Sequence, residues 1–277
     1  MKKIFNWITG PLAVAGFGLL LFAESKRPLR KATSNKLQRM TANLGVASVT
    51  GVAIRLLFLP VVSRVAGFAQ KNRIGLLNFA PLPKALRFAA EMILLDYTFY
   101  WWHRLMHRNA LLWRCHIVHH TDLDLDASTA ARFHFAEYVL STGYRAAQII
   151  VIGASPAAIA SFETLIMAAA EFHHSNVRLP FEFERRLNAL IVTPRMHGIH
   201  HSIIEQESNS NFATVLRLWD TLHATLKLDV PQDEITIGLA AYRDADDLTF
   251  TKLLALPLAR QKEAWLLPDG SRPKRLT

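Results

Sequence analysis

The sequence predicts an all-α protein, a multi-pass transmembrane bundle of about four to five membrane helices with a cytoplasmic helical cap rich in histidine. Three observations predict it. Apolar residues make up 51% of the 277-residue chain, and they are gathered in long blocks, as in chains that cross a membrane repeatedly. Short basic stretches separate these blocks. All twelve histidines lie between positions 103 and 223.

The first two apolar blocks lie at 4–23 and 41–69, and each reaches the roughly 20 residues that a membrane helix needs. The first block also resembles a secretory signal. However, Gly-Pro at 10–11 interrupts it and no clean cleavage site follows, so we expect it to be retained. Six cations between 26 and 39 oppose only Glu24, which predicts a cytoplasmic loop. Arg55, inside the second block, is expected to reach an interface with its long side chain.

The later blocks lie at 85–102 and 133–172, and the second of these is broken by Gly-Ala-Ser-Pro at 153–156. That break predicts a helical hairpin. A hairpin that begins and ends on one side of the membrane returns His173 and His174 to the level of residues 116–120. Five cations and no acid occupy 64–87, which conflicts with a simple alternation of sides. The sequence therefore leaves open whether residues 41–87 span fully.

Three regions follow from these boundaries. Residues 1–84 are expected to hold the N-terminal membrane helices and the basic loop. Residues 85–228 carry the histidine clusters and form the expected catalytic region. Residues 229–277 are more polar and are expected to form a soluble, partly helical tail.

Charge and cysteine content exclude several classes of protein. The net charge is +10, but the cations flank apolar blocks, where they suit anionic lipid headgroups better than nucleic acid. Cys115 is the only cysteine, which excludes an intramolecular disulfide and zinc sites built on two or more thiolates. Any metal must therefore be held by histidines and carboxylates.

The histidines form four clusters: HRLMH at 103–107, HIVHH at 116–120, HH at 173–174 and HGIHH at 197–201. On a helix, residues three and four apart share one face, so each cluster can direct two or three imidazoles toward one point. Neutral imidazole is the commonest side-chain metal ligand. Nine convergent histidines exceed what one tetrahedral zinc ion uses and suit two metals with four or five nitrogen ligands each. His134 and His223 stand alone and are predicted to be ordinary structural residues.

These motifs resemble those of the sterol desaturase / fatty acid hydroxylase superfamily, whose members are membrane di-iron oxidases. The resemblance covers about residues 24–228. Besides the histidine clusters it includes LWRCHIVHH at 112–120, HHSN at 173–176, PRMHGIHH at 194–201, NSNF at 209–212 and WD at 219–220. The family commonly continues WD with two residues and Phe-Gly-Thr, whereas His223 and Ala224 replace that Phe and Gly here.

The resemblance implies nine metal ligands, which would also be the catalytic residues: His103, His107, His116, His119, His120, His174, His197, His200 and His201. His174 is preferred to His173 because the family's third element is a single histidine before Ala/Ser-Asn. The implied cofactor is two iron ions, with zinc as a possible substitute. The implied reaction is hydroxylation or desaturation of a lipid C–H bond with O₂.

Further residues are expected to support the ligands. Imidazole ligands usually donate their second N–H to a carboxylate or carbonyl. The candidates are Asp96, Glu137, Asp220, Glu171 and Glu205, with His173 and Asn176 beside His174. Asp96 is preferred, since it lies seven residues before His103, nearly on the same helical face.

The expected partners are a lipid, O₂, the membrane and a separate electron carrier, and nucleic acid is not among them. The carrier would be a ferredoxin or a cytochrome b5-like protein with its reductase, because the sequence contains no dinucleotide, flavin or haem signature. Two alternatives remain open, a transporter of divalent metals and a membrane protein that binds metal without catalysis. Which lipid is oxidised cannot be read from the sequence.

Overall fold

A computed structural model describes residues 2–275, and it describes side chains from residue 14 onward. The described residues are helical, with three isolated β-bridges and no strand. This agrees with the predicted all-α class. The α-helices are α1 Lys2–Lys26, α2 Lys36–Ala53, α3 Leu59–Lys71, α4 Lys84–Arg108, α5 Ala110–His120, α6 Phe135–Ile152, α7 Pro156–His174, α8 Phe181–Asn188, α9 Pro194–His200, α10 Glu205–Ser208, α11 Leu218–Leu222 and α12 Phe250–Ala255.

One segment in the described part of the chain, Lys36–Asn78, is long and apolar enough to cross a membrane. It contains α2 and α3, which a π-helical turn at Ile54–Phe58 joins. Pro60 follows directly and cannot donate a backbone hydrogen bond to the preceding turn, so the widened π turn absorbs the break without ending the helix. The first apolar block is helical as α1, but the side chains of residues 1–13 lie outside the described part.

Helices α6 and α7 form the hairpin that the sequence predicts. Gly153 ends α6 with a left-handed φ of 77°, and Ser155 caps α7 by accepting a hydrogen bond from the backbone N–H of Ala158. Gly75, in the loop after α3, lies so close that a Cβ atom on it would be 2.2 Å from the backbone nitrogen of Gly153. The loop before α4 and the hairpin tip therefore meet at one end of the bundle, opposite the histidines.

Helices α4, α6 and α7 do not satisfy the same length and hydropathy criterion, because charged residues interrupt them. The fold pairs these charges inside the bundle. Arg145 of α6 lies 2.9 Å from Glu163 of α7, and Glu91 of α4 accepts hydrogen bonds from Arg87 and from Ser155 at the hairpin tip. These charges lower the hydropathy of the three helices even where they are paired within the protein.

Buried ion pairs fasten the basic loop to the histidine end of the bundle. Arg39 of α2 donates to both carboxylate oxygens of Asp122, at 2.6 and 2.9 Å, and to Asp126 at 2.8 Å. Arg132 donates to the carbonyl of Val118 and to the hydroxyl of Thr121. These bonds fix the chain that follows α5, directly after His119 and His120.

The C-terminal region packs on the histidine end as part of its core. Leu239, Tyr242 and Leu253 lie in one buried cluster with Val46 of α2 and Ile117 of α5. The ring of Phe250 contacts Gly45, where a Cβ atom would be 2.7 Å from it. The segment expected to be a soluble tail thus covers α2 and α5.

Candidate metal centre

Four helices deliver the predicted histidines to one place. His103 and His107 lie one turn apart near the end of α4. Asn109 caps the start of α5, and its side chain accepts hydrogen bonds from the N–H groups of Leu111 and Leu112. This cap starts α5 immediately after α4, so that its three histidines face those of α4.

Two further helix ends complete the arrangement. Helix α9 begins with Pro194 in its first turn, a position that needs no backbone donor, and it brings in His197, His200 and His201. Helix α7 ends at His174. His174 Nε2 lies 3.0 Å from His119 Nε2, so the hairpin returns to the level of α5 as predicted.

The nine histidines fall into two groups, and within each group the candidate ligand atoms lie within 4.8 Å of one another. The five-histidine group consists of His103, His107, His116, His120 and His200. The four-histidine group consists of His119, His174, His197 and His201. The two groups adjoin, since the rings of His120 and His201 are stacked with centroids 4.5 Å apart.

The four-histidine group brings its Nε2 atoms to a common point. His197 Nε2 lies 3.0 Å from His174 Nε2 and 3.1 Å from His201 Nε2. With metal–nitrogen bonds of about 2.1 Å, two ligands at right angles around one ion lie about 3.0 Å apart. These separations are therefore those of ligands that share an ion.

Hydrogen bonds on the far side of the rings fix the tautomer of four histidines. The carbonyl oxygens of Phe212, Ser210 and Ala170 each lie 2.7 Å from a ring Nδ1, those of His103, His200 and His174 respectively. A carbonyl only accepts, so each Nδ1 carries the proton and each Nε2 keeps its lone pair. Glu137 Oε2, 3.2 Å from His116 Nδ1, likewise accepts the hydrogen bond from that ring.

Burial keeps the imidazoles neutral. The pKa of His119 and that of His120 are lowered well below the ordinary value, first by desolvation and then by neighbouring histidines. Desolvation likewise lowers the pKa of His200 to about 3 and that of His201 well below its ordinary value. Neutral imidazole is the ligating form.

The donor set fits a pair of transition-metal ions. In the described part of the chain, His116 Nε2, His200 Nε2 and both ring nitrogens of His107 and His120 are buried without a hydrogen-bond partner. Buried polar atoms are normally paired, and an ion is one of the few explanations for such a cluster of lone pairs. Nitrogen-only sites of this kind suit iron, zinc and copper better than magnesium or calcium.

The preferred supporting residue, Asp96, has a different partner from the one expected. Its carboxylate accepts hydrogen bonds from Trp219 Nε1 at 2.7 Å and from the backbone of Leu216 at 3.1 Å. It therefore anchors α11 to α4 and does not receive a proton from a histidine. The carboxylate that does contact a grouped histidine is Glu137.

Asp220 supports a histidine indirectly, through the chain segment that contacts it. Its carboxylate accepts hydrogen bonds from the backbone N–H groups of Phe212 and Ala213 and from the hydroxyl of Thr225. The Phe212 carbonyl accepts the hydrogen bond that orients His103. Asp220 therefore fixes the chain segment that positions this ring.

The other candidates lie outside both groups. His173 is buried beside His197, with ring centroids 4.1 Å apart. Asn176 exchanges two hydrogen bonds with the backbone of Arg30. Glu205 pairs with Arg272, and Glu171 is half-buried on α7.

His134 has a structural role, as the sequence predicts. It caps α6 by accepting a hydrogen bond from the backbone of Ala136 and lies 3.1 Å from the carbonyl of Leu254. His223 is likewise outside both groups and stacks on Tyr100, with ring centroids 5.1 Å apart.

Sequence reasoning missed the carbonyls of Ser210, Phe212 and Ala170, because a backbone acceptor leaves no trace in residue identity. One hint exists for the first two. Asn211 between them has a positive φ of 55°, a conformation that asparagine tolerates, and its amide donates to the carbonyls of Met196 and Lys227. The NSNF segment therefore directs two neighbouring carbonyls toward the histidines.

Comparison with known proteins agrees with this geometry. A family model described as fatty acid hydroxylase matches residues 88–225, a range that includes all nine grouped histidines. The chain belongs to the fatty acid hydroxylase family. No solved structure matches this family member significantly.

Three relatives show the range of the similarity. An ornithine lipid hydroxylase of Rhizobium tropici is 26% identical over 70% of this chain and 56% of its own length. The alkylglycerol monooxygenase of Homo sapiens is 26% identical over 52% of this chain and 31% of its own. Methylsterol monooxygenase 1-3 of Arabidopsis thaliana is 26% identical over 62% of this chain and 60% of its own length. The fatty acid hydroxylase family member described here thus covers less than two thirds of each of these relatives.

The departure from the family pattern at 223–224 leaves the local turn in place. Ala224 has a positive φ of 53°, the left-handed conformation that glycine adopts without strain. Thr225 after it still donates its backbone N–H and its hydroxyl to Asp220. The contacts that orient the NSNF segment therefore persist without the glycine.

Proposed function

We propose that the chain is a membrane-bound lipid oxygenase that hydroxylates or desaturates a C–H bond with O₂ at a centre of two iron ions. One observation carries the proposal: nine histidines, eight of them buried, converge in two adjoining groups of five and four. One group would hold one iron, and the other group the second. Zinc could occupy the same nitrogens, although it has no redox chemistry.

Bound iron would supply the activation of O₂ and the removal of a hydrogen atom from an unactivated carbon. The protein's own residues prepare the site. Glu137 and the carbonyls of Phe212, Ser210 and Ala170 hold four rings with Nε2 toward the centre. The buried position of the histidines excludes water, which protects a reactive oxidant from unproductive reduction.

We assign a lipid substrate from two observations. The three relatives named above are, by name, a hydroxylase of ornithine lipid and monooxygenases of alkylglycerol and methylsterol. In addition, the bundle exposes large apolar side chains, such as Leu56 at 72% and Val151 at 57%, which suit contact with acyl chains. A substrate of this kind can approach the histidine end from within the bilayer.

The proposed topology is multi-pass. The segment 36–71, α4, α6 and α7 run between the histidine end and the end where Gly75 meets Gly153, and α1 ends at the histidine end. At 1.5 Å per residue α6 and α7 are about 27 and 28.5 Å long, close to the ~30 Å hydrocarbon layer. The basic loop at 26–39 contacts the histidine end through Arg30 and Arg39, which supports a cytoplasmic active site.

The proposal includes an external source of electrons, a ferredoxin or a cytochrome b5-like protein. The catalytic region is proposed to run from 85 to 228.

A metal transporter would place its ligands along a conduction path in mid-membrane. Here the ligands lie at helix ends and are fixed by hydrogen bonds, and the relatives are hydroxylases and monooxygenases.

Elemental analysis of the purified protein tests the proposal. We expect two irons per chain and O₂ uptake that is matched by an oxidised lipid. One zinc per chain, or metal flux across vesicles without O₂ uptake, would overturn it. Lipid profiles of cells that express the wild-type chain or His200→Ala then identify the substrate, since its product is absent from the variant.

A further inference from the structure

A pair of stacked tryptophans connects the five-histidine group with the surface. The ring centroid of Trp113 lies 5.1 Å from that of His107 and 5.5 Å from that of His120. Trp265 stacks on Trp113 at 5.7 Å with an interplanar angle of 25°. Both tryptophans are half-buried. The two indoles therefore form a continuous path of aromatic contacts from solvent to the rings of His107 and His120.

Hydrogen bonds between α5 and the C-terminal segment hold the two tryptophans in place. Arg114, next to Trp113, donates to the carbonyls of Pro257 and Ala259 at 2.9 and 2.7 Å. Gln261 in turn donates to the carbonyl of Arg114 at 3.0 Å. These bonds hold the segment that carries Trp265 against the outer face of α5.

The four-histidine group has a different environment. His119 stacks on Phe133, with ring centroids 4.2 Å apart, and phenylalanine is far harder to oxidise than tryptophan. Of the tryptophans whose side chains the structure describes, Trp113 alone makes a ring contact with any of the nine grouped histidines, in tilted or edge-on geometry. Trp101, though exposed, makes edge-on ring contacts with His223 and with two tyrosines of α4. The aromatic path to the surface thus serves the five-histidine group.

We infer that Trp265 and Trp113 form the entry route for electrons, and that a small acidic iron–sulfur protein docks over Trp265 to deliver them. This inference rests on the proposed function. With iron bound by the five-histidine group, each transfer would oxidise one reduced iron–sulfur cluster by one electron and reduce one ferric ion to ferrous. No bond would be made or broken in the step. Two transfers would reduce two ferric ions.

Charge supports the acidic partner. Arg114 adjoins Trp113, and Arg260 and Lys262 precede Trp265 in the covering segment, which also carries the exposed acid Glu263. Lys262 pairs with Asp247, so the two remaining cations outnumber the one remaining acid. Opposite charges on two surfaces accelerate their encounter and set their orientation. A surface of this sign repels a basic carrier and attracts an acidic one.

Conservative tryptophan variants test the route on iron-loaded protein, with O₂ and lipid absent. The probe is a plant-type [2Fe–2S] ferredoxin, pre-reduced, whose reoxidation is followed by stopped-flow absorbance. We expect Trp113→Phe and Trp265→Phe to slow reoxidation several-fold, because the smaller phenyl ring interrupts the ring contacts that connect the surface with His107 and His120. Trp101→Phe is the matched control and should reoxidise ferredoxin at the wild-type rate. Equal rates for wild type and Trp265→Phe would overturn the route.

Binding of the same ferredoxin to the metal-free protein is a second readout that does not depend on iron. We expect Arg260→Glu to raise the dissociation constant about tenfold at low salt, whereas Arg186→Glu on α8 leaves it unchanged. An unchanged constant in Arg260→Glu would place docking elsewhere and overturn the partner surface. A wild-type chain that binds no iron would refute the proposed function and the route together. Full iron loading with unaltered rates in both tryptophan variants would refute the route alone.

Discussion

His119 Nε2 and His174 Nε2 lie 3.0 Å apart, although 55 positions separate them in the chain. The first stands at the end of α5 and the second at the end of the α6–α7 hairpin. Their meeting requires the whole hairpin to leave the histidine end and return to it. The four-histidine group therefore depends on the correct packing of the bundle as well as on its own residues.

Two single variants, each lacking one histidine of a different group, should test the two metal sites one at a time. We expect His119→Ala and His200→Ala each to lower iron below two per chain and to abolish lipid oxidation, because the oxidation needs both sites. Iron content and O₂ uptake of the purified variants measure this. His134→Asn is the control, since asparagine preserves the helix cap and His134 lies outside both groups. Wild-type turnover in either alanine variant would contradict a shared centre.

Glu137 should tune metal affinity through His116. Glu137→Gln removes the negative charge that holds His116 Nδ1–H, and the loss of such a partner typically weakens metal binding by about 10–100-fold. Competition with a chelator during iron loading measures the affinity. Glu182→Gln changes an exposed carboxylate on α8 and should bind iron as the wild type does. The same affinity in Glu137→Gln would show that the contact is incidental.

The metal-free protein should lose stability in mild acid. An unfolded histidine titrates near pH 6.5, whereas burial lowers the pKa of His200 to about 3 and also lowers those of His119 and His201. Between these values the unfolded chain binds protons that the folded chain does not, so stability falls with decreasing pH. The stability that these neutral histidines contribute is fully present above pH ~7 and is lost progressively as the pH falls from about 6.5 toward 3.

Melting temperatures of chelator-treated protein at several pH values measure this decline. His200→Asn removes one of the titrating groups and should show a shallower decline than the wild type. A melting temperature that is flat between pH 7 and 5 would contradict the buried, neutral state of these rings.

Ala224 stores backbone strain that glycine would relieve. Its φ of 53° costs an alanine about 1–2 kcal/mol, so Ala224→Gly should raise the free energy of unfolding by up to about 1 kcal/mol after the entropy of the more flexible unfolded chain is counted. Thermal unfolding of the two proteins gives the comparison. Ala189→Gly, at a position with φ of −62°, should destabilise instead.

The parts of the structure that could be predicted from the sequence depend on local periodicity. The spacing of His116, His119 and His120 fixes their common face on any helix, although His119 joins the four-histidine group and the other two the five-histidine group. Gly153 with Ser155 marks the hairpin break. The residues recognised by family resemblance, including His174, all fall in the two groups.

Other features depend on partners that are distant in the chain. Asp96 contacts Trp219, 123 positions away, and no local pattern reveals that choice. The pairing of Arg145 with Glu163 likewise joins two charges that lower the hydropathy of α6 and α7, and neither helix reveals it by its own pattern. The packing of residues 239–264 on α2 and α5 follows from burial of apolar side chains that the sequence shows only as scattered positions.

The order of the ligands along the chain has a consequence for biosynthesis. The five-histidine group ends with His200 of α9 and the four-histidine group with His201, so neither is complete before position 200 has left the ribosome. The covering segment with Trp265 follows later still. All the long helices, through α7, are therefore synthesised before either group of histidines is complete, and the segment that covers α5 is made only after both groups.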